Sequence, residues 1–460
     1  MFNFRTTDPR IGGSTMRIAS ERKVPTVMPL IKVALLSLGL TGLSFSLFAD
    51  SLPHITAEEA GYDSKKLNEI TDRLDVLYED GRIPSYVAAV AKDGKVFFSA
   101  VRGDTAIGSG EEVSLETMYY LASMTKPFVS TAIFQLIEQG KLGLDSELKE
   151  FFPVFSDMFV APNGSYDSQF EEALRPVTIL DLITHTSGFT YGESVIGFGD
   201  VAKLYDELGL INRCISRDEN MELLSQIPLV SQPGATFNYS VGVDILGAVL
   251  EVITDQRLGD YLDQNITGPL GMTNTGFVLG EDDEFAHIYV PPSSGNRPIG
   301  RVDGSDIDWK IAPRESRSCP LGSPDGLFDS GGGGIFGSAY DYLKFLSMVA
   351  NRGVFEDATI LQPSSIEQQL SNLVPGLGLE AFMAQFGEAA SYMSFGGGYG
   401  IKQQPNDNSK IDYYFWGGAA NTAFWFDPID GSVGIFFTAF LPGQYNIADD
   451  LEQIIDDARL

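Results

Sequence analysis

The stretch Leu121-Ala122-Ser123-Met124-Thr125-Lys126-Pro127-Phe128 decides how this 460-residue chain is read. A helix running from about Ser123 onward puts Lys126 one turn along the same face, within reach of the Ser123 hydroxyl. A serine alcohol becomes a good nucleophile when a neighbouring base takes its proton, and only a neutral amine can do so. Burial at a helix start, where the macrodipole opposes another positive charge, is the setting that supplies a neutral lysine. Leu121 and Ala122 before the serine, and Phe128, Val129, Ala132, Ile133 and Phe134 after it, provide apolar neighbours for such a setting. Ser-x-x-Lys alone describes equally well a capping serine followed by a solvated lysine, so the rest of the chain must decide.

Outward from that stretch, Leu67, Ile70, Leu74 and Leu77 recur at helical spacing and predict an amphipathic helix over Ser64 to Tyr78. Two strand-like runs, Tyr86 to Ala91 and Lys95 to Ala100, flank Asp93-Gly94, a two-residue hairpin signal. The Ser123 helix should end near Gly140, which suits a C-cap. From Leu144 to Asp329 the pattern is helical with long loops, including Val177 to Ile183 and Val241 to Ile253. Beyond Ser330 and four glycines comes a helix over Ala339 to Ala350. Strands follow at Ile411 to Trp416, Thr422 to Phe426 and Val433 to Phe440, the last two joined by Asp430-Gly431, then a terminal helix over Asn446 to Arg459. The expected fold class is α+β: an antiparallel sheet shared by both chain ends and flanked by helices (50–143 and 330–460), with a mostly helical insert at 144–329.

With 43% hydrophobic and 20% charged residues the composition is globular. A formal net charge of −31 argues against nucleic acid and anionic membrane surfaces as partners, because those are bound through clustered Lys and Arg. Cys214 and Cys319 allow at most one disulfide. His54, His185 and His287 are scattered without metal-ligand spacing, so neither a metal nor a cofactor is expected. Residues 1–49 are basic and then apolar from Val33 to Ala49, the pattern of a secretory signal peptide or a retained N-terminal anchor. Export to a periplasm is the expectation.

Five stretches carry a resemblance: Tyr119-Tyr120-Leu121-Ala122-Ser123-Met124-Thr125-Lys126, Leu182-Ile183-Thr184-His185-Thr186-Ser187-Gly188, Pro233-Gly234 to Phe237-Asn238-Tyr239-Ser240, Ser330 to Gly334, and Trp416-Gly417-Gly418-Ala419. In this order the chain, from about Ile55 to its last residue, resembles the serine β-lactamase and penicillin-recognising superfamily. Within it the chain is similar to the class C-like branch that contains the family VIII carboxylesterases. The resemblance implies a β-lactamase/transpeptidase-like fold, with Ser123 as nucleophile, Lys126 as its activator and Tyr239 as the proton shuttle. It also implies an oxyanion hole from the backbone N–H groups of Ser123 and Ala419, with Trp416, Gly417 and Gly418 lining the substrate site; Tyr120, beside Tyr119, is a further candidate for the pocket wall, with core packing the default for an aromatic.

Two departures from the pattern bear on substrate. Trp416-Gly417-Gly418 stands where the β-lactamases carry Lys-Thr-Gly, which removes a cation suited to a lactam carboxylate. Tyr239-Ser240-Val241 stands for Tyr-x-Asn, which removes the amide expected to hold an acylamino side chain. Both favour a neutral short-chain ester as the small-molecule substrate. The alternatives are a β-lactamase or D-amino-acid peptidase, or a penicillin-binding-like protein that binds without turnover. His185 is read as a structural hydrogen-bonding group, the four glycines as a tight structural turn without the Lys-Ser/Thr of a phosphate loop, and no Gly-x-Ser-x-Gly elbow is present. Oligomeric state is not encoded in any of these motifs.

Overall fold

Hydrogen bonding joins seven antiparallel strands into one sheet: β1 (Ser85–Lys92), β2 (Lys95–Gly103), β3 (Met393–Phe395), β4 (Gly400–Gln404), β5 (Asp407–Gly418), β6 (Thr422–Phe426) and β7 (Ser432–Phe437). Their spatial order is β3-β4-β5-β6-β7-β1-β2, so the two ends of the chain meet between β7 and β1. The computed structural model describes residues 51–167, 169–290, 310–311, 319, 321–322, 324–377, 392–404, 407–441 and 447–460. The leader expected at 1–49 and the helix start expected at Asn446 lie outside these residues.

The hairpin between β1 and β2 forms because Asp93 and Gly94 both take left-handed backbone angles (φ 50° and 69°), the geometry a two-residue turn needs to follow strand twist. Apart from its terminal Lys92, β1 is buried throughout. Its apolar run Tyr86 to Ala91 therefore lacks the in–out alternation of a half-solvated strand.

Six helices frame the sheet and the site: α1 (Ser64–Glu79), α2 (Lys126–Glu138), α3 (Ile179–Ile183), α4 (Gly242–Thr254), α5 (Ala339–Ala350) and α6 (Ile447–Asp457). One face is covered by α1 and α6, which Arg73 and Asp450 tie together at 2.8 Å, and the Tyr86 hydroxyl donates to Asp75 of α1. On the other face α5 sends Tyr342 against Phe437 of β7 and Phe424 of β6. Phe128 of α2 stacks on Phe345 of α5 at 4.1 Å, making α2 a buried third layer. Helix α2 closes as expected around Gly140, whose left-handed φ of 65° lets its N–H reach Ile137 and that of Lys141 reach Leu136.

Within 144–329, α3 starts at a capping box between Thr178 and Asp181, and α4 lies against both α2 and α3. The described residues fall within one compact unit, Phe48–Leu460. Cys214 and Cys319 are joined in a disulfide.

The structure departs from sequence expectation in three places. Strands β3 and β4 were not expected, since Met393-Ser394-Phe395 is only one alternation long and Gly400-Ile401-Lys402-Gln403-Gln404 is mostly polar. Strand β7 stops at Phe437 rather than Phe440, whose N–H turns instead to the Ala420 carbonyl. Ser123 itself sits in a 3₁₀ turn (Ala122–Thr125), and the α-helix begins only at Lys126.

Candidate active site

Ser123 projects from a turn held on both sides. The Leu121 N–H donates to the Ile335 carbonyl at 3.0 Å, and the Thr422 hydroxyl of β6 reaches the Leu121 carbonyl at 3.3 Å. Between Leu121 and Ser123, Ala122 takes a φ of 46°, a left-handed conformation costing an alanine about 1–2 kcal/mol. Such strain persists where surrounding bonds over-determine it. Strand β5 can approach this turn only because its last residue is glycine: a Cβ on Gly418 would lie 2.2 Å from the Leu121 carbonyl oxygen. Ala419 follows directly, in the tight turn to β6 that Asn421 closes with a left-handed φ of 63°.

Lys126 is completely buried. Its Nζ lies 3.2 Å from Ser123 Oγ and donates at 2.6 Å to the Gly332 carbonyl. Two aromatic faces complete its surroundings, Tyr239 with its ring centre 4.7 Å away and Tyr191 at 5.5 Å. A 3₁₀ turn followed by the first helical residue therefore achieves the Ser–Lys contact that a continuous helix was expected to give.

Tyr239 stands just before α4. The indole Nε1 of Trp416 donates to its phenol oxygen at 3.3 Å. Phe395 of β3 sets its ring edge-on to Trp416 at 5.0 Å, and His185 lies 4.5 Å from the Tyr239 ring. Tyr239, Trp416, Phe395, Phe237 and His185 thus form a continuous aromatic wall beside the Ser–Lys pair.

The structure joins Trp416 directly to Tyr239, and Tyr120 lies close enough to Tyr191 to act on it electrostatically. The Tyr120 ring packs on Phe336 at 5.4 Å, beside the small apolar cluster of Met118, Leu279 and Phe336. Tyr119 is a core residue whose hydroxyl meets Ser85.

His185 is fully buried, and its Nδ1 accepts from the Ser240 N–H at 3.2 Å. Burial first, and the nearby Lys126 charge second, hold its pKa well below the ordinary histidine value. It is therefore neutral, with its proton on Nε2. Tyr191 is shifted the other way: burial, then the carboxylate of Asp244, push its phenol well above the ordinary value.

Three residues of this constellation were not singled out in the sequence, Tyr191, Phe395 and Asp244, and Gly332 was read only as part of a tight turn. The run of four glycines was the one available signal. A Cβ on Gly332 would stand 2.3 Å from Asp244 Oδ2 and 2.8 Å from the Tyr191 hydroxyl, so only glycine lets this turn bring a carbonyl to Lys126.

The beta-lactamase family model matches residues 68–456 of this chain. Among characterised relatives, Esterase EstB of Burkholderia gladioli is 34% identical over 296 residues, spanning 61% of this chain and 70% of the relative. Lovastatin esterase of Penicillium rubens is 28% identical over 288 residues, spanning 61% and 66% respectively. Among solved structures, EstCE1, described as a hydrolase with promiscuous acyltransferase activity, superposes with a TM-score of 0.67. At 23% identity over 87% of this chain and 99% of that one, the likeness is one of fold. The buried Ser–Lys pair, the antiparallel sheet behind it and a family match over most of the sequence agree: this chain belongs to the beta-lactamase family and is a serine hydrolase of its esterase-like branch.

Proposed function

We propose that the chain is a carboxylesterase acting on short-chain esters through an acyl-enzyme on Ser123. The observation that carries this reading is the 3.2 Å approach of a fully buried Lys126 amine to Ser123 Oγ, with Tyr239 over the same amine. In the first half-reaction Ser123 Oγ forms a bond to the ester carbonyl carbon while its proton passes to the Lys126–Tyr239 pair. The tetrahedral oxyanion is held by the backbone N–H groups of Ser123 and Ala419, donors worth about 3 kcal/mol each in such sites. The C–O bond to the alcohol then breaks, and the leaving oxygen takes the proton back through Tyr239. In the second half-reaction water attacks the acyl carbon and gives its proton to the same pair; the bond to Ser123 Oγ then breaks, the acid leaves and Oγ takes the proton back.

The aromatic wall favours a neutral ester over an anionic lactam. Trp416 offers an N–H and an apolar face where a lysine would offer charge, and Val241 is a buried aliphatic residue at the start of α4. The two esterase relatives act in support of the same preference. The basic and then apolar residues 1–49, together with the Cys214–Cys319 disulfide, support export to an oxidising compartment such as a periplasm.

Hydrolysis of p-nitrophenyl butyrate and of a chromogenic cephalosporin, by the wild type and Ser123→Ala, tests this reading. Ester turnover lost in the variant, with little lactam turnover, is the expected result. Rapid cephalosporin turnover would instead make the protein a β-lactamase, and lactam binding without turnover of either substrate would make it a penicillin-binding-like receptor.

A further inference from the structure

Beneath the lysine lies a carboxylate that the reaction scheme above does not use. Asp244, on the first turn of α4, is 1% exposed. Its Oδ1 accepts from the Ser330 hydroxyl at 2.5 Å and from the Gly332 N–H at 3.0 Å. Gly332 is the residue whose carbonyl receives Lys126 Nζ at 2.6 Å. One residue of the glycine turn is therefore gripped by Asp244 through its N–H and grips Lys126 through its C=O. Among the described residues Asp244 Oδ2 has no hydrogen-bond partner, and it lies on the side of Gly332 where the Tyr191 hydroxyl also stands.

A carboxylate buried with an unpaired oxygen is costly unless a charge nearby compensates it. The nearby cation is Lys126, whose charge opposes the rise that burial imposes on Asp244. The other titratable groups facing Lys126 are Tyr239 and His185 from the loops before α4 and after α3, and Tyr191 beyond His185. Tyr191 and His185 are both held in their neutral forms and Tyr239 shares the proton of the pair itself, so among the described residues in this group the carboxylate placed to compensate the pair is Asp244.

We infer that Asp244 is a positioning residue for Lys126: it fixes the Ser330–Gly334 turn that holds the amine against Ser123 and supplies the negative charge that sets when the Lys126–Tyr239 pair releases its proton. The inference rests on the proposed Ser123–Lys126 site. Its chemistry is electrostatic and makes no bond to substrate. A negative charge beside the pair favours its protonated form, so neutralising Asp244 lowers the pH at which the pair becomes a base, whichever of the two carries the proton. The same contacts lock the lysine in one position beside Ser123.

The test is the pH dependence of kcat/KM for p-nitrophenyl butyrate in the wild type, Asp244→Asn and Ser330→Ala. Asparagine keeps an acceptor for Ser330 and Gly332 and removes only the charge. Its acid limb should move to lower pH by about one unit, the scale on which a close opposite charge shifts a titrating group. Ser330→Ala removes a donor that helps to hold Asp244 ionised, so the carboxylate is partly neutralised and the limb should move the same way by a smaller amount. It also serves as the test if Asp244→Asn does not yield folded protein. A wild-type acid limb in the folded variants, with only a lowered kcat/KM, would reduce Asp244 to a structural prop and overturn the inference. Labelling of wild-type Ser123 by a fluorophosphonate separates the two levels: no label would break the site reading itself, whereas labelled wild type with an unshifted limb breaks only the role of Asp244.

Discussion

The indole N–H of Trp416 points at the phenol oxygen of Tyr239 across 3.3 Å, joining strand β5 to the residue that stands over Lys126. A neutral donor at that oxygen stabilises negative charge that develops there during proton transfer without adding charge to the pocket. Trp416→Phe keeps the apolar face and deletes the donor, and a single neutral hydrogen bond of about 1 kcal/mol corresponds to roughly a fivefold lower kcat on p-nitrophenyl butyrate. Trp416→Lys restores a cation, and the ratio of ester to cephalosporin turnover should fall. An unchanged ratio would show that residue 416 does not set substrate preference.

Gly332→Ala should damage the site more than the fold. The added methyl meets Asp244 and the Tyr191 hydroxyl at distances no real Cβ tolerates, so the turn must shift and carry its carbonyl away from Lys126. Overpacking of this kind costs about 1–3 kcal/mol, a drop of about 1–3 °C in Tm for a chain of this size. The expected loss of kcat/KM is on the order of 100-fold, typical of losing a positioned proton acceptor. A thermal melt and a progress curve on the same sample measure both; a large fall in Tm with unchanged kcat/KM would contradict the role given to this turn.

Stability should also depend on Glu452 of α6. Burial pushes its carboxyl up to about 9, against the pull of Lys402 at 3.6 Å. A raised pKa means that the folded state holds a proton the unfolded state has released. The stability this confers is complete below the ordinary glutamate value and is lost as pH rises through about 9, at up to about 1.4 kcal/mol per pH unit. Glu452→Gln removes this contribution, so its Tm should fall less than that of the wild type between pH 5 and pH 8. Parallel curves for the two proteins would show that Glu452 is ionised in the fold.

His185 should contribute no limb to the activity profile. Its ring is held neutral by burial and by Lys126, and its Nδ1 is engaged by the Ser240 N–H. The kcat/KM–pH profile of His185→Asn, whose amide oxygen can accept the same N–H, should keep the wild-type limb positions. Disappearance of a limb near 6.5 would identify His185 as a titrating participant.

The hairpin at Asp93-Gly94, the amphipathic α1 and the α5 boundaries were legible because each is specified locally, by turn chemistry or by a helical period. The Ser123–Lys126 contact was legible for the same reason, being three residues long. What stayed hidden depends on residues far apart in sequence. Phe395 is one apolar residue in a three-residue strand, and its place beside Trp416 follows from β4 and β5 pairing around it. Asp244 looks like an ordinary first-turn acid of α4, where the dipole favours a carboxylate. Only the packing of α4 under the glycine turn makes it a neighbour of Lys126. The quadruple glycine announced a close approach without naming what approached.

The pairing of β7 with β1 sets the order in which this protein can assemble. Val87 and Phe437 face each other across the sheet although about 350 residues separate them in the chain. Contacts of such long range are formed late and slowly, because loop closure precedes any gain from the pairing. Until β7 arrives, the β1–β2 hairpin presents an open apolar edge, the kind of edge that recruits other strands. Ser123 leaves the ribosome about 300 residues before the Thr422 hydroxyl that braces its turn and the Ala419 amide beside it. Loss of the final strands would therefore leave a nucleophile without its electrostatic partner groups and a sheet primed to aggregate.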